Sequence, residues 1–166
     1  AEEFYTSPAD AATGTAYHAF LENVDFSAPP AEEIARVRAQ LPPEQAALLD
    51  DARLASILAM PVFASLRGAA LRREQPFLLG LPASRLYPGA SEDTVLVQGV
   101  IDLLAVRGEE AVVVDYKYSS HSEEQLKQDY AAQVDLYVAA ASQWPGVRRV
   151  SAYLVNILRG YCVRVR

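Results

Sequence analysis

Two aspartates and a lysine are the residues of this sequence best placed to do chemistry. Val95 to Val106 and Ala111 to Lys117 are strongly β-prone runs separated by Arg107-Gly108-Glu109-Glu110. They read as a hairpin with a two-residue loop, Gly108-Glu109, suited to a type II′ turn with glycine first. That loop sets Arg107 opposite Glu110, so opposed positions sum to 217, and Asp102 falls opposite Asp115. Two facing carboxylates, with Cβ atoms about 4.5 to 5.5 Å apart, repel one another, and a sheet tolerates them only with compensation. A hard divalent cation, Mg2+ or Mn2+, compensates directly, because carboxylate, water and phosphate oxygens are its preferred ligands. Strand alternation turns Lys117 to the same face as Asp115. An ammonium there can polarise or deprotonate a water beside the ion. On the hairpin alone the plain alternative stays open: Asp102 ends its strand, and Asp115 with Lys117 forms a surface pair. Against it, Asp102 is flanked by Val100-Ile101 and Leu103-Leu104, a run too apolar for a casually solvated carboxylate. A slip of one residue would remove the whole arrangement.

The elements around this hairpin change character along the chain. The first half reads helical: Ala16 to Val24, with Thr15 as N-cap and Tyr17, Phe20, Leu21 and Val24 at helical spacing, then Ala31 to Gln40 and Pro43 to Leu58. After Gly68 the texture is β, with a strand over Ala69 to Leu79 and a loop from Leu81 to Asp93. Glu123 to Ser142 is a long helix capped by Ser122, and Arg149 to Leu158 and Tyr161 to Val165 read as two last strands. The order predicts an α+β or α/β sandwich.

Further residues fall into step with the two aspartates. Gly99-Val100-Ile101-Asp102, Asp115-Tyr116-Lys117 and Gln133-x-x-x-Tyr137 follow one another, preceded by His18 in Gly14-Thr15-Ala16-Tyr17-His18 and by Arg73-Glu74-Gln75-Pro76-Phe77. This series resembles the GxxD, DxK and QxxxY motifs, the helical histidine and the glutamate-bearing first strand of the RecB-like branch of the PD-(D/E)XK nucleases. Within that branch it is most similar to the C-terminal nuclease domains of AddAB-type helicase–nucleases. The resemblance implies an α/β (α+β) restriction-endonuclease-like core, a central mixed sheet flanked by helices, with an N-terminal helical region. It implies one nuclease domain over residues 1–166, cut from a larger helicase–nuclease: a mainly helical part over 1–66 carrying His18, and a sheet core over 67–166 with the long helix 123–142.

The same resemblance assigns roles. His18, Asp102, Asp115 and the backbone carbonyl of Tyr116 would bind Mg2+, or Mn2+, and Lys117 would be the catalytic lysine. Glu74 would orient the lysine or serve a second ion. Gln133 and Tyr137, four apart on one helix face, would steady the motif strand or contact the DNA backbone. The implied activity is Mg2+-dependent DNA exonuclease or nuclease action in double-strand-break resection and recombination repair. Single-stranded ends would be delivered by an upstream helicase domain of the same polypeptide, beside an AddB-like subunit. The family often continues DYK with threonine and an acid or amide; here Tyr118-Ser119-Ser120 follow, so local substrate contacts differ. A catalytically silent DNA-binding or subunit-docking module would be expected to lack one of His18, Asp102, Asp115 and Lys117.

Composition sets the outer bounds. With 166 residues, 51% hydrophobic and 22% charged, the chain has the makings of one folded domain. Cys162 is the only cysteine, which excludes an internal disulfide, a multi-cysteine zinc site and a four-cysteine iron–sulfur cluster. Gly14, Gly68 and Gly80 are isolated, so no phosphate-cradling loop is present. Ser119 and Ser120 have no general base near them in sequence, and His121 reads as solvated. No apolar run approaches the roughly 20 residues of a membrane helix. The opening AEEFYTSPAD lacks the basic and apolar regions of a secretory leader. The expectation is a soluble protein of the cytoplasm, with no membrane association. The net charge of −6 is unevenly spread: residues 1–60 carry −7 and residues 145–166 carry +5. Arg67, Arg72, Arg73, Arg148 and Arg149 would then supply a modest phosphate track for weak, salt-sensitive DNA binding.

Overall fold

The computed structural model describes residues 7–166; residues 1–6, part of the stretch read above for a leader, lie outside them. Helix α1 spans Pro8–Asn23, well before the predicted start at Ala16. Ser7 is the true N-cap, its hydroxyl accepting from the Asp10 N–H, and Pro8 pre-sets the first turn. Thr15 is therefore mid-helix, where its hydroxyl donates to the Ala11 carbonyl at 2.9 Å. Helix α2 is Pro30–Gln40. The predicted helix over Pro43 to Leu58 divides into α3, Pro43–Ala46, and α4, Asp51–Leu58. The break arises because Asp50 adopts extended backbone and its carboxylate caps the Arg53 N–H at 2.8 Å. A short α5, Pro61–Ala64, was not anticipated.

The sheet has five strands: β1 Ala70–Pro82, β2 Thr94–Arg107, β3 Glu110–Lys117, β4 Arg149–Asn156 and β5 Tyr161–Arg164. Spatial order follows chain order. Only β3 and β4 are parallel, joined through α6, Glu123–Ser142, so the sheet is mixed. Strand β1 runs past the predicted Leu79 because its ladder with β2 continues to Pro82↔Thr94, which shortens the loop that follows. The last two strands stop at Asn156 and Arg164, short of the predicted Leu158 and Val165. Ser122 caps α6 as its sequence suggests, accepting from Gln125 N–H. No helix among the described residues is long and apolar enough to cross a membrane.

Helices cover both faces, each over its own apolar core. Tyr17, Phe20 and Leu21 of α1, with Ile57 and Phe63, pack on Leu103, Val114 and Tyr116. On the other side Leu126, Tyr130, Val134 and Ala141 of α6 pack on Ile101, Leu104 and Val113. Ile101 and Leu103 are two apart in one strand and should share a face, yet they belong to opposite cores. Leu71 and Phe77 of β1 divide in the same way. The pair of strands turns over between Arg73↔Leu103 and Gln75↔Ile101 without losing register. Glu74 takes the strain, at φ +49, the only non-glycine residue at positive φ among those described.

Just beyond this kink, Gly99 pairs with Phe77 across the ladder. A Cβ on Gly99 would stand 2.7 Å from Phe77 Cζ, and the same ring meets Tyr137 edge-on at 5.7 Å. The glycine of GxxD is thus a packing requirement here. Gly99→Ala is expected to destabilise the chain by about 1 to 3 kcal/mol, a fall of roughly 3 to 10 °C in Tm. An unchanged thermal melt would refute this account of Gly99.

Candidate active site

The kink between Glu74 and Asp102 places the motif residues of both cores around one point. The β2–β3 ladder keeps the predicted register from Arg107↔Glu110 to Leu103↔Val114. Its turn has Gly108 at φ +57 and Glu109 outside the positive-φ region, as a type II′ turn requires. The next step departs from expectation: Asp102 and Asp115 are not a ladder pair, because β2 leaves β3 there. Asp102 Oδ2 instead accepts the Tyr116 N–H at 2.8 Å, satisfying a strand donor that the parting would otherwise orphan.

The two carboxyl groups nevertheless lie close enough to act on one another. Burial first, then the negative charge of Asp115 and its capacity to accept from a protonated Asp102, push the Asp102 carboxyl up to about 10, against the opposing pull of the Tyr116 N–H. Without a cation the Asp102 carboxyl therefore resists ionisation at neutral pH.

Lys117 faces α6 and is only 3% exposed. Its Nζ lies 3.0 Å from Asp115 Oδ2, donates to Gln133 Oε1 at 2.8 Å, and stands 4.1 Å from the centre of the Tyr130 ring. His18 approaches from the other core, with Nδ1 3.8 Å from Asp102 Oδ1 and its ring edge-on to Tyr116 at 5.7 Å. Its Nε2 is buried without a hydrogen-bond partner. Glu74 sits at the kink, its carboxyl raised by burial and by the negative charges of Glu22 and Asp115. Tyr137 packs on Phe77, so the observed contacts of both Gln133 and Tyr137 point inward.

Three contributors escaped the sequence reading. Tyr130 is one; its spacing puts it on the same helix side as Gln133, three residues on, but does not show that its ring meets Lys117. Arg73 is another: it donates to the Leu21 carbonyl at 3.0 Å and lies 4.8 Å over Phe26, clamping the end of the helix that carries His18. It is therefore no part of a phosphate track. Arg72 lies over Trp144, while Arg148 and Arg149 pair with Glu109 and Glu110 beside the hairpin turn. Asn156 is the third. Fully buried opposite Lys117, it accepts from Ser119 N–H at 3.2 Å and donates to the Ser119 carbonyl at 2.9 Å, tying down the segment after the lysine. In that segment His121 is not merely solvated, because its Nδ1 lies 2.6 Å from Asp129 Oδ2.

A buried nitrogen with no partner and two neighbouring carboxyl groups, Asp115 buried and Asp102 nearly so, form a donor set suited to a hard divalent cation. The Tyr116 carbonyl lies in the same stretch, between Asp115 and Lys117. Among the described residues no three His, Cys, Asp or Glu side chains are already grouped tightly enough to hold an ion.

Residues 2–160 match the family described as the PD-(D/E)XK nuclease superfamily. Among curated relatives, an ATP-dependent helicase/nuclease subunit from Carboxydothermus hydrogenoformans is 33% identical over 160 residues, 87% of this chain and 14% of the relative. The protein of the same name from Desulforudis audaxviator is 33% identical over 90% of this chain and 13% of its own length. That from Moorella thermoacetica is 36% identical over 76% and 10%. The chain thus spans about one seventh or less of these relatives.

Proposed function

Because the chain belongs to the PD-(D/E)XK nuclease superfamily, we propose that it is a Mg2+-dependent deoxyribonuclease domain that hydrolyses phosphodiester bonds in single-stranded DNA. The observation that carries this reading is the buried Lys117, held between Asp115 and Gln133 beside Asp102 and an unpartnered His18 Nε2. His18, Asp102, Asp115 and the Tyr116 carbonyl would hold Mg2+ or Mn2+, which when bound supplies Lewis-acid polarisation of the scissile phosphate and offsets its developing charge. Lys117 Nζ orients the attacking water by hydrogen bonding and faces the phosphate with positive charge. Gln133 and Asp115 keep that ammonium at the end of β3, and Glu74 adds a third carboxyl at the kink, toward the lysine or a second ion. Attack by water breaks the bond to the 3′ oxygen, leaving a 5′-phosphate and a 3′-hydroxyl.

The names of the relatives support a larger setting. In it the chain is one piece of a helicase–nuclease; beyond those names, we propose that this polypeptide is cytoplasmic, works beside an AddB-like subunit and resects broken ends in recombination repair. A tethered motor would deliver DNA at high effective concentration, which suits a domain of net charge −6.

Titrating Mg2+ and Mn2+ into EDTA-treated protein tests the activity. Cleavage of single-stranded DNA is expected to appear with metal and vanish on chelation, with little action on a small phosphodiester. DNA binding without cleavage at any metal concentration would instead identify a silent nuclease-like module.

A further inference from the structure

Lysine is a flexible four-carbon stem ending in a compact charge, so a buried lysine that must meet a substrate needs its head group confined. At Lys117 two of the confining groups belong to the recurring motifs, Asp115 at 3.0 Å and Gln133 at 2.8 Å. The third is the Tyr130 ring, 4.1 Å from Nζ, inside the roughly 6 Å range where an aromatic face attracts a cation. Tyr130 is itself 5% exposed, on the same face of α6 as Leu126 and Val134, which are buried against the sheet. Its ring thus comes from the rigid core side of the helix. A ring face attracts the ammonium without offering a strong lone pair that would bind one of its protons in place of water or phosphate.

We propose that Tyr130 is a positioning residue for Lys117, acting through the face of its ring to hold the ammonium where Asp115 and Gln133 direct it. This inference rests on the nuclease reading for its kinetic consequence but not for the contact itself. Tyr130→Phe keeps the ring face, whereas Tyr130→Leu keeps apolar bulk and removes it. The expected result with single-stranded DNA and Mg2+ is kcat within about twofold of the parent for Tyr130→Phe and about tenfold lower for Tyr130→Leu, with KM little changed in both. A loss as large in Tyr130→Phe as in Tyr130→Leu would overturn the proposal.

The contact is read separately by thermal unfolding in EDTA without DNA, comparing Tyr130→Leu in the parent and in Lys117→Met. A larger fall in Tm in the parent supports a ring–ammonium coupling, and equal falls overturn it. If the parent chain cuts no DNA, the nuclease reading fails, while this comparison still decides whether Tyr130 holds Lys117.

Discussion

Lys117→Met is expected to lower DNA cleavage by at least about a thousandfold in kcat, within the usual range for loss of a group that manages the attacking water. Methionine preserves length and apolar volume, so packing against Tyr130 and α6 is kept. What is lost is the positive charge 3.0 Å from Asp115. Removing one partner of a buried ion pair leaves the other uncompensated, which is costly. The charge that can take its place comes from solution, a divalent cation beside Asp115 and Asp102. The variant is therefore expected to stay folded, to melt lower than the parent in EDTA, and to gain more in Tm from Mg2+ than the parent does. Retention of more than a tenth of parental cleavage would remove Lys117 from the role given to it.

Asp102→Asn has an expected effect of opposite sign on stability. In the folded chain Asp102 releases its proton only near pH 10, held up by burial and by Asp115, whereas in the unfolded chain it does so near 3.8. Between those values the folded state binds the extra proton, so stability falls as pH rises, by up to about 1.4 kcal/mol per pH unit from this group. Asparagine cannot ionise, yet its amide oxygen can still accept the Tyr116 N–H and its nitrogen can donate to Asp115. In EDTA at pH 8 the variant is expected to melt roughly 5 to 10 °C above the parent, the gap closing toward pH 4. Its Mg2+-induced rise in Tm and its cleavage should both be lost. A difference between the two proteins that stays constant from pH 5 to pH 9 would show that Asp102 does not carry this proton.

The hairpin register was legible because a two-residue loop leaves one pairing possible, and Leu103↔Val114 obeys it. The kink was not. Alternation assumes a continuous strand, and nothing in Arg73-Glu74-Gln75 marks Glu74 as left-handed: glutamate has no preference for that region. Only the demands of two opposed cores, with Ile101 drawn to α6 and Leu103 to α1, impose it. Charge counting cannot tell Arg73, which clamps α1 at the Leu21 carbonyl, from a residue free to meet phosphate. The missed break at Asp50 is a smaller case, where a local cap outweighed an Ala-rich helical run.

Spacing along the chain already contained the order of the elements, the turn at Gly108, the N-cap at Ser122, and the side of β3 from which Asp115 and Lys117 project. All of these follow from interactions between near neighbours, whose geometry the backbone sets locally. The meeting of His18 with Asp102, the parting of β2 from β3, and the enclosure of Lys117 by Tyr130 and Gln133 join residues 13 to 84 positions apart. They exist because two helix layers must each bury an apolar face on one sheet. The resulting kink at Asp102 lets one carboxyl group reach α1 on one side and Asp115 on the other.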